Sequence, residues 1–380
     1  WSAPGIGLGH AMLTADQSTD AALPILTRDR KVALTFEGRV YNFSQLHTDL
    51  EGLGHVFETR AAAELILAAW RQWGPGSLSR LDGTFALAIF DASAQTLFLA
   101  RDRLGVRPLY YAELSDGSMA FASALEGLLT HPLLRRNPSP QAVEDYLALG
   151  YVPDDACLIA GVRKLPAGHC LLARRGRPLP EPAAWWDVDF RRKRRGSPEN
   201  LAHDLIGLMR ETVRSRMASD RPVGASLAAG IGSAAIVAFM AEASRTGVET
   251  ASLFLEGGPG GPSAAALVAQ RFATRHRSEA VSPDAFDALE MLSTRFEEPF
   301  ADPSALAACR LATLAFERLG VLLSGEGADE LFGGHARYRR FVAADRMVGI
   351  LPLSVRRKFA MAGDEAYAAA LSMTPRPLRS

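Results

Sequence analysis

Alternation of apolar and polar positions dominates the first part of the chain. The stretch "KVALTFEGRVYN" (31–42) reads as two extended runs with Gly38 as the turn between them. A stronger hairpin signal follows, with apolar runs from Phe85 to Phe90 and from Thr96 to Ala100 around a loop at Asp91 to Gln95. Between these strand pairs, "AAAELILAAWRQW" has helical spacing. Strand pairs with an inserted helix predict an α+β sandwich.

From about residue 200 the pattern changes. It predicts helices over 200–218, 233–244, 263–273 and 304–319, and strands over 222–227, 249–255, 278–281 and 321–324. Helices alternating with short apolar strands indicate a parallel, doubly wound α/β sheet. The intervening "RRGRPLPEPAAWWDVDFRRKRRGSPEN" is rich in Pro and Arg and reads as a linker. No internal repeat or low-complexity tract interrupts either half.

Composition narrows the partners. At 380 residues the chain has room for two domains, each with its own core. Its 42 basic and 42 acidic side chains cancel, so bulk charge favours neither nucleic acid nor an anionic membrane. The basic run Arg191 to Arg195 therefore reads as a solvated linker. Cys157, Cys170 and Cys309 are too few and too scattered for a disulfide scaffold or a four-ligand zinc site, and a reduced cytoplasmic setting is the expectation. No apolar run has the length of a membrane span, and no signal peptide is expected. Trp1 in place of Met leads to the expectation that the natural N-terminus lies upstream.

In a doubly wound sheet, ligands bind beyond the carboxyl ends of the strands. Two turns fall there. "ASLAAGIGSAAIV" (225–237) runs from strand through glycines into helix and carries one hydroxyl in the turn, Ser233. "LLSGEGADELFGG" (322–334) places Ser324, Glu326, Asp329 and Glu330 on a glycine-rich loop entering a helix. Glycine amides approach phosphate closely, and carboxylates so spaced hold magnesium or take a proton. Either turn alone is explained as helix capping. Two of them on one sheet favour a ligand site.

Four longer stretches carry a resemblance: "LSGEGADELFGGHARYRR", "EEPFADPSA", "FLARDRLGVRPLYYA" and "YLALGYVPDDACLIAGVRKLPAGH". They closely resemble the glutamine-hydrolysing asparagine synthetase family, with its relatives in exopolysaccharide clusters, the β-lactam synthetases and the lasso-peptide cyclases. The resemblance runs from about residue 5 to about residue 345. It implies an N-terminal-nucleophile glutaminase sandwich over 1–190, a linker over 191–199 and an α/β PP-loop ATP pyrophosphatase domain over 200–380. The family's first strand and last helices are expected outside this sequence. The implied chemistry uses ATP and Mg2+ to activate an aspartate-like carboxylate as an acyl-adenylate, which ammonia from glutamine then attacks. Implied partners are small molecules, with no nucleic acid or membrane, and homodimerisation is left open.

Carried over residue by residue, the resemblance thins. The family's nucleophile is an N-terminal cysteine, and that segment lies upstream of Trp1 or does not exist. Where the family binds glutamine with an arginine, an asparagine–glutamate pair and an aspartate, this chain has Met12, Glu37, Arg39 and Ala62. Methionine and alanine make no charge-assisted bonds to a zwitterion, and Arg39 repels an ammonium. The PP-loop S-G-G-x-D-S aligns with Ala228 to Ser233, so Ala228 replaces a hydroxyl and Gly232 the magnesium carboxylate. Loss of one such preorganised contact costs about 3 kcal/mol of transition-state stabilisation. The segment "GGPGGPSA" (257–264) removes further polar groups after the next strand. What remains for ATP and pyrophosphate is Leu227, Gly230, Ser233, Leu255, Ser324 and Gly325, with Glu326 as the catalytic carboxylate and Asp329 for magnesium. The family's downstream lysine is expected beyond Ser380. Three readings follow: an ATP-dependent amidotransferase, a catalytically impaired family member acting as a binding or assembly subunit, and a ligase using the second domain alone.

Overall fold

The structure is a computed structural model that describes residues 1–11, 23–219, 221–228, 230–255, 263–281, 286–302 and 304–350. Met12 and most of 257–264 lie outside the described residues. The chain forms two compact units, Trp1–Val143 with Val152–Arg194, and Glu144–Tyr151 with Arg195–Ser380. None of the helices among the described residues is long and apolar enough to cross a membrane.

The first unit opens with β1 (Ser2–Ala3), β2 (Ile6–Gly7), β3 (Ile25–Leu26) and β4 (Val32–Val40). Helices α1 (Phe43–Gly52) and α2 (Ala62–Trp73) follow, and then β5 (Gly83–Asp91) and β6 (Thr96–Arg101). Next come β7 (Tyr110–Glu113), β8 (Met119–Ala122), α3 (Leu125–Leu129) and α4 (Pro140–Leu149), of which the part from Glu144 on belongs to the second unit. Strands β9 (Val162–Lys164), β10 (His169–Arg174) and β11 (Ala183–Ala184) complete the first unit. Six strands pair in the order β11-β10-β6-β5-β4-β3, and three in the order β8-β7-β9.

Period-two alternation builds the layers. On β5 and β6, Phe85, Leu87, Ile89 and Phe98 face a core shared with Leu46, Leu50, Leu65 and Ile66 of the two helices. Their neighbours Ala86, Ala88 and Leu99 face the opposite way, onto Leu109, Tyr111 and Leu165. Large side chains meet the helices and small ones let the second sheet approach. The expectation at Gly38 is corrected here, because β4 runs unbroken through it, pairing Gly38 with Phe85. Gly38 has φ +141, and a β-carbon there would collide with the Thr84 carbonyl oxygen. The glycine marks a close approach of two strands, not a turn.

The second unit begins with α5 (Pro198–Met217), capped by Ser197, whose Oγ accepts from the Asn200 amide at 3.3 Å. There follow β12 (Val223–Ser226), α6 (Ile231–Ala243), β13 (Glu249–Leu255), α7 (Ser263–Arg271) and β14 (Arg275–Val281). Then come α8 (Phe286–Arg295), α9 (Ser304–Phe316), β15 (Val321–Leu323), α10 (Ala328–Phe332) and α11 (Ala336–Ile350). The strands form one parallel sheet in the order β14-β13-β12-β15. Helices cover both faces. Ala225 and Leu227 pack with Val213, Val237 and Met240 on one side, and Ala251 with Leu314 and Leu319 on the other.

A buried charged knot closes the hairpin end of the first unit. Asp102, 1 % exposed, accepts from the backbone amides of Phe85 (3.1 Å), Leu104 (3.1 Å), Val106 (3.0 Å) and Arg107 (3.0 Å). Beside it, buried Arg101 donates to the carbonyls of Gly105 (2.7 Å), Arg107 (2.8 Å) and Leu165 (2.8 Å). The motif "RDRLGVRPLYY" is thus a loop folded around its own two charges. Asp102→Ala strands four amides in a dry site, at about 1–3 kcal/mol for each that finds no water. We expect a loss of at least about 3 kcal/mol in urea unfolding. Tryptophan fluorescence reads this unit alone, since Trp1, Trp70, Trp73, Trp185 and Trp186 all lie in it.

Candidate active site

Strand order fixes where the second unit can hold a ligand. From β12 the sheet grows outward through β13 and β14 on one side and to β15 on the other. The crevice at such a reversal, beyond the carboxyl ends of the two strands, is the usual seat of ligands in open α/β sheets. Both glycine turns open there. Leu227, 2 % exposed, ends β12 with its amide on the Ala251 carbonyl at 2.8 Å. Ala228 is exposed, Gly230 is the N-cap of α6, and Leu255 is the last residue of β13.

Within the first turn the hydroxyl faces inward. Ser233 is 7 % exposed, and its Oγ accepts from the Ala228 amide at 3.1 Å. Its proton has two acceptors within reach, the Ala228 carbonyl at 2.9 Å and the Gly230 carbonyl at 3.0 Å. Ser233 therefore staples the loop to the helix that follows. Gly232 faces the second turn: a β-carbon there would lie 3.0 Å from the Gly325 carbonyl oxygen and 3.1 Å from Ala328 Cβ. The relation is mutual, since a β-carbon on Gly325 would collide with the Gly232 carbonyl carbon and the Ser233 amide nitrogen. The two glycine backbones touch over the N-terminus of α6, where amides otherwise face a phosphate.

The second turn is more open. Ser324 Oγ accepts from the Glu326 amide at 3.1 Å, and Gly327, with φ +84, caps α10. Glu326, Asp329 and Glu330 are exposed. Asp329 lies over Gly334, leaving no room for a β-carbon there, and its carbonyl accepts the Gly334 amide at 2.8 Å. Glu330 is engaged by His335 at 2.8 Å, which holds its carboxyl below the usual range. The first turn supplies no carboxylate, and no group of three acidic, histidine or cysteine side chains suited to a metal occurs among the described residues. Asp329 is thus the one carboxylate of the implied pair left to a magnesium ion, whose other ligands would be phosphate oxygens and water.

Comparison with known proteins places this arrangement. Residues 1–186 match the glutamine amidotransferase domain, and residues 204–379 match asparagine synthase. Asparagine synthetase (glutamine-hydrolysing) 1 of Bacillus subtilis strain 168 is 29% identical over 339 residues, covering 88% of this chain and 52% of its own length. A Methanocaldococcus jannaschii protein named for the same activity is 30% identical over 351 residues, covering 87% of this chain and 67% of its own length. The chain belongs to the glutamine-hydrolysing asparagine synthetase family. It spans about half the length of the first such relatives. An N-terminal-nucleophile amidotransferase domain followed by an asparagine synthase domain is thus the architecture, as the sequence pattern implies. A solved B. subtilis glutamine phosphoribosylpyrophosphate amidotransferase shares 17% identity over 63% of this chain and 50% of its own, at TM-score 0.34, too low to carry an argument.

The structure places three of the positions that the resemblance assigns to glutamine binding. Glu37 on β4 is paired with Arg107 at 3.0 Å, and Arg39 lies two residues along the same strand. Ala62 is the first residue of α2, and the acidic group of that helix start is Glu64. Burial pushes the Glu64 carboxyl up, but the Thr59 hydroxyl (2.6 Å) and the amides of Glu58 and Thr59 (2.8 Å each) bring it below its ordinary value. Sequence reasoning missed both Glu64 and Arg107. Glu64 was legible as an acid three positions into a helix.

The inward hydroxyl gives a direct test. Ser233→Ala leaves the Ala228 amide without its acceptor, so the far-UV urea transition is expected to lose about 1–2 kcal/mol. A neutral substitution would mean the hydroxyl does not hold the loop.

Proposed function

We propose that this family member is impaired in the ATP-dependent step by its own PP-loop, and acts as a binding or assembly subunit on the amidotransferase scaffold. The carrying observation is the backbone contact between Gly232 and Gly325. That contact crowds the space in which a magnesium-holding side chain would begin, 3.0 Å from the Gly325 carbonyl oxygen, and it lies at the start of the helix whose amides would receive pyrophosphate. The inward Ser233 hydroxyl supports the same reading, because it is committed to the loop. At the glutamine-site positions, the Glu37–Arg107 pair and Ala62 leave little to recognise an amino-acid zwitterion.

One observation favours a second reading. The turn after β15 keeps Ser324 in a formed loop with Glu326 and Asp329 exposed. That supports an ATP-dependent amidotransferase, forming an amide on an aspartate-like carboxylate through an acyl-adenylate with glutamine or ammonia as nitrogen source. Exchange of labelled pyrophosphate into ATP, with aspartate and magnesium, separates the two. The impaired reading predicts exchange at background, unchanged in Glu326→Gln. Exchange well above background that disappears in Glu326→Gln would establish the second reading instead.

A further inference from the structure

The opposite end of the parallel sheet carries a cavity that the family chemistry does not use. It has a volume of about 410 Å³ and lies at the amino ends of β12, β13 and β14, with Arg318 of the segment leading to β15 on its lining. Each strand start contributes one charged group. Arg221 precedes β12, Glu249 opens β13, Arg275 opens β14, and Arg318 precedes β15. Arg275 and Glu249 satisfy each other at 2.5 Å, and Arg275 also donates to the Thr246 carbonyl at 2.8 Å. Arg221 and Arg318 form no ion pair among the described residues. Two guanidinium charges are thus left on the rim of one concave site, while Met240 and Val248 make its wall apolar.

Two glycines make room for these arginines. A β-carbon on Gly320 would collide with the stem of Arg221, so the bare backbone there lets that side chain lie across it. Gly247, in the left-handed region at φ +85, leaves the Arg275 guanidinium only 3.2 Å from where a β-carbon would stand. Helices α5, α6, α7 and α9 each lead into one of the four parallel strands and so end here. Each carboxyl terminus carries about half a negative charge, so capture of an anion rests on direct guanidinium contact and not on a net positive field.

We infer that this cavity binds an organic phosphate monoester, with Arg221 and Arg318 on the phosphate and the organic part against the apolar wall. Guanidinium forks match phosphate oxygens two at a time, and the volume lies within the range of small-molecule sites. The site is remote in the fold from the turns after β12 and β15, and its ligand does not depend on their chemistry.

Calorimetric titration of the full chain with glucose 6-phosphate, at low ionic strength, tests the assignment. The expected result is one saturable site with Kd below about 1 mM, at least tenfold weaker in Arg221→Gln and in Arg318→Gln. Arg318 is exposed, so its substitution leaves the fold intact and the comparison valid. Glucose without the phosphate is expected to give no heat of binding. Absence of saturable binding, equal binding of glucose, or binding unchanged in both variants would overturn the inference.

Discussion

Two backbones meeting without side chains set the character of the second unit. Gly232 and Gly325 come from turns at the ends of different strands. The Gly232–Ser233 backbone fills the space a β-carbon on Gly325 would need, and a β-carbon on Gly232 would lie in tight contact with the Gly325 carbonyl oxygen. The parallel pairing of β12 with β15 brings those turns together. Helix α6 then starts directly beneath them. A side chain at position 232 would begin in tight contact with the second turn, 3.0 Å from the Gly325 carbonyl oxygen. Sheet topology thus sets the contact, and the contact keeps both positions glycine.

A different economy holds in the first unit. There the motif with the strongest family character, "RDRLGVRPLYY", is occupied with structure, its Asp102 and Arg101 satisfying seven backbone groups between them. Burying two adjacent charges is tolerable because nearly every donor and acceptor is met. Two of the positions that the resemblance assigns to glutamine binding are likewise taken into structure, Glu37 by its ion pair with Arg107 of this loop and Ala62 by packing against the core.

The fold was largely legible from pattern. Alternation identified the β5–β6 hairpin, and alternating helices and strands identified the parallel sheet. Gly38 was misread because a glycine in an alternating run signals either a turn or a close strand approach, and only the partner strand decides between them. Strand β14 begins at Arg275, earlier than its apolar residues indicate, because Arg275, His276 and Arg277 are polar residues on an edge strand. Positions 228 and 232 stood out in sequence as missing groups, whereas their consequence was not legible. The inward turn of Ser233 is a local matter of Ala228 and Gly230, but the contact of Gly325 with Gly232 joins residues nearly a hundred positions apart. The four charges around the lower cavity were illegible for the same reason, since they converge only when the strands are set side by side.

If the two turns no longer share a magnesium ion, ATP binding does not depend on it, and equilibrium dialysis of ATP against the full chain, with excess magnesium and again with a chelator, reads this out. The expected affinities are equal within about twofold, a difference under about 0.5 kcal/mol. Tightening of tenfold or more by magnesium, lost in Asp329→Asn, would contradict that independence.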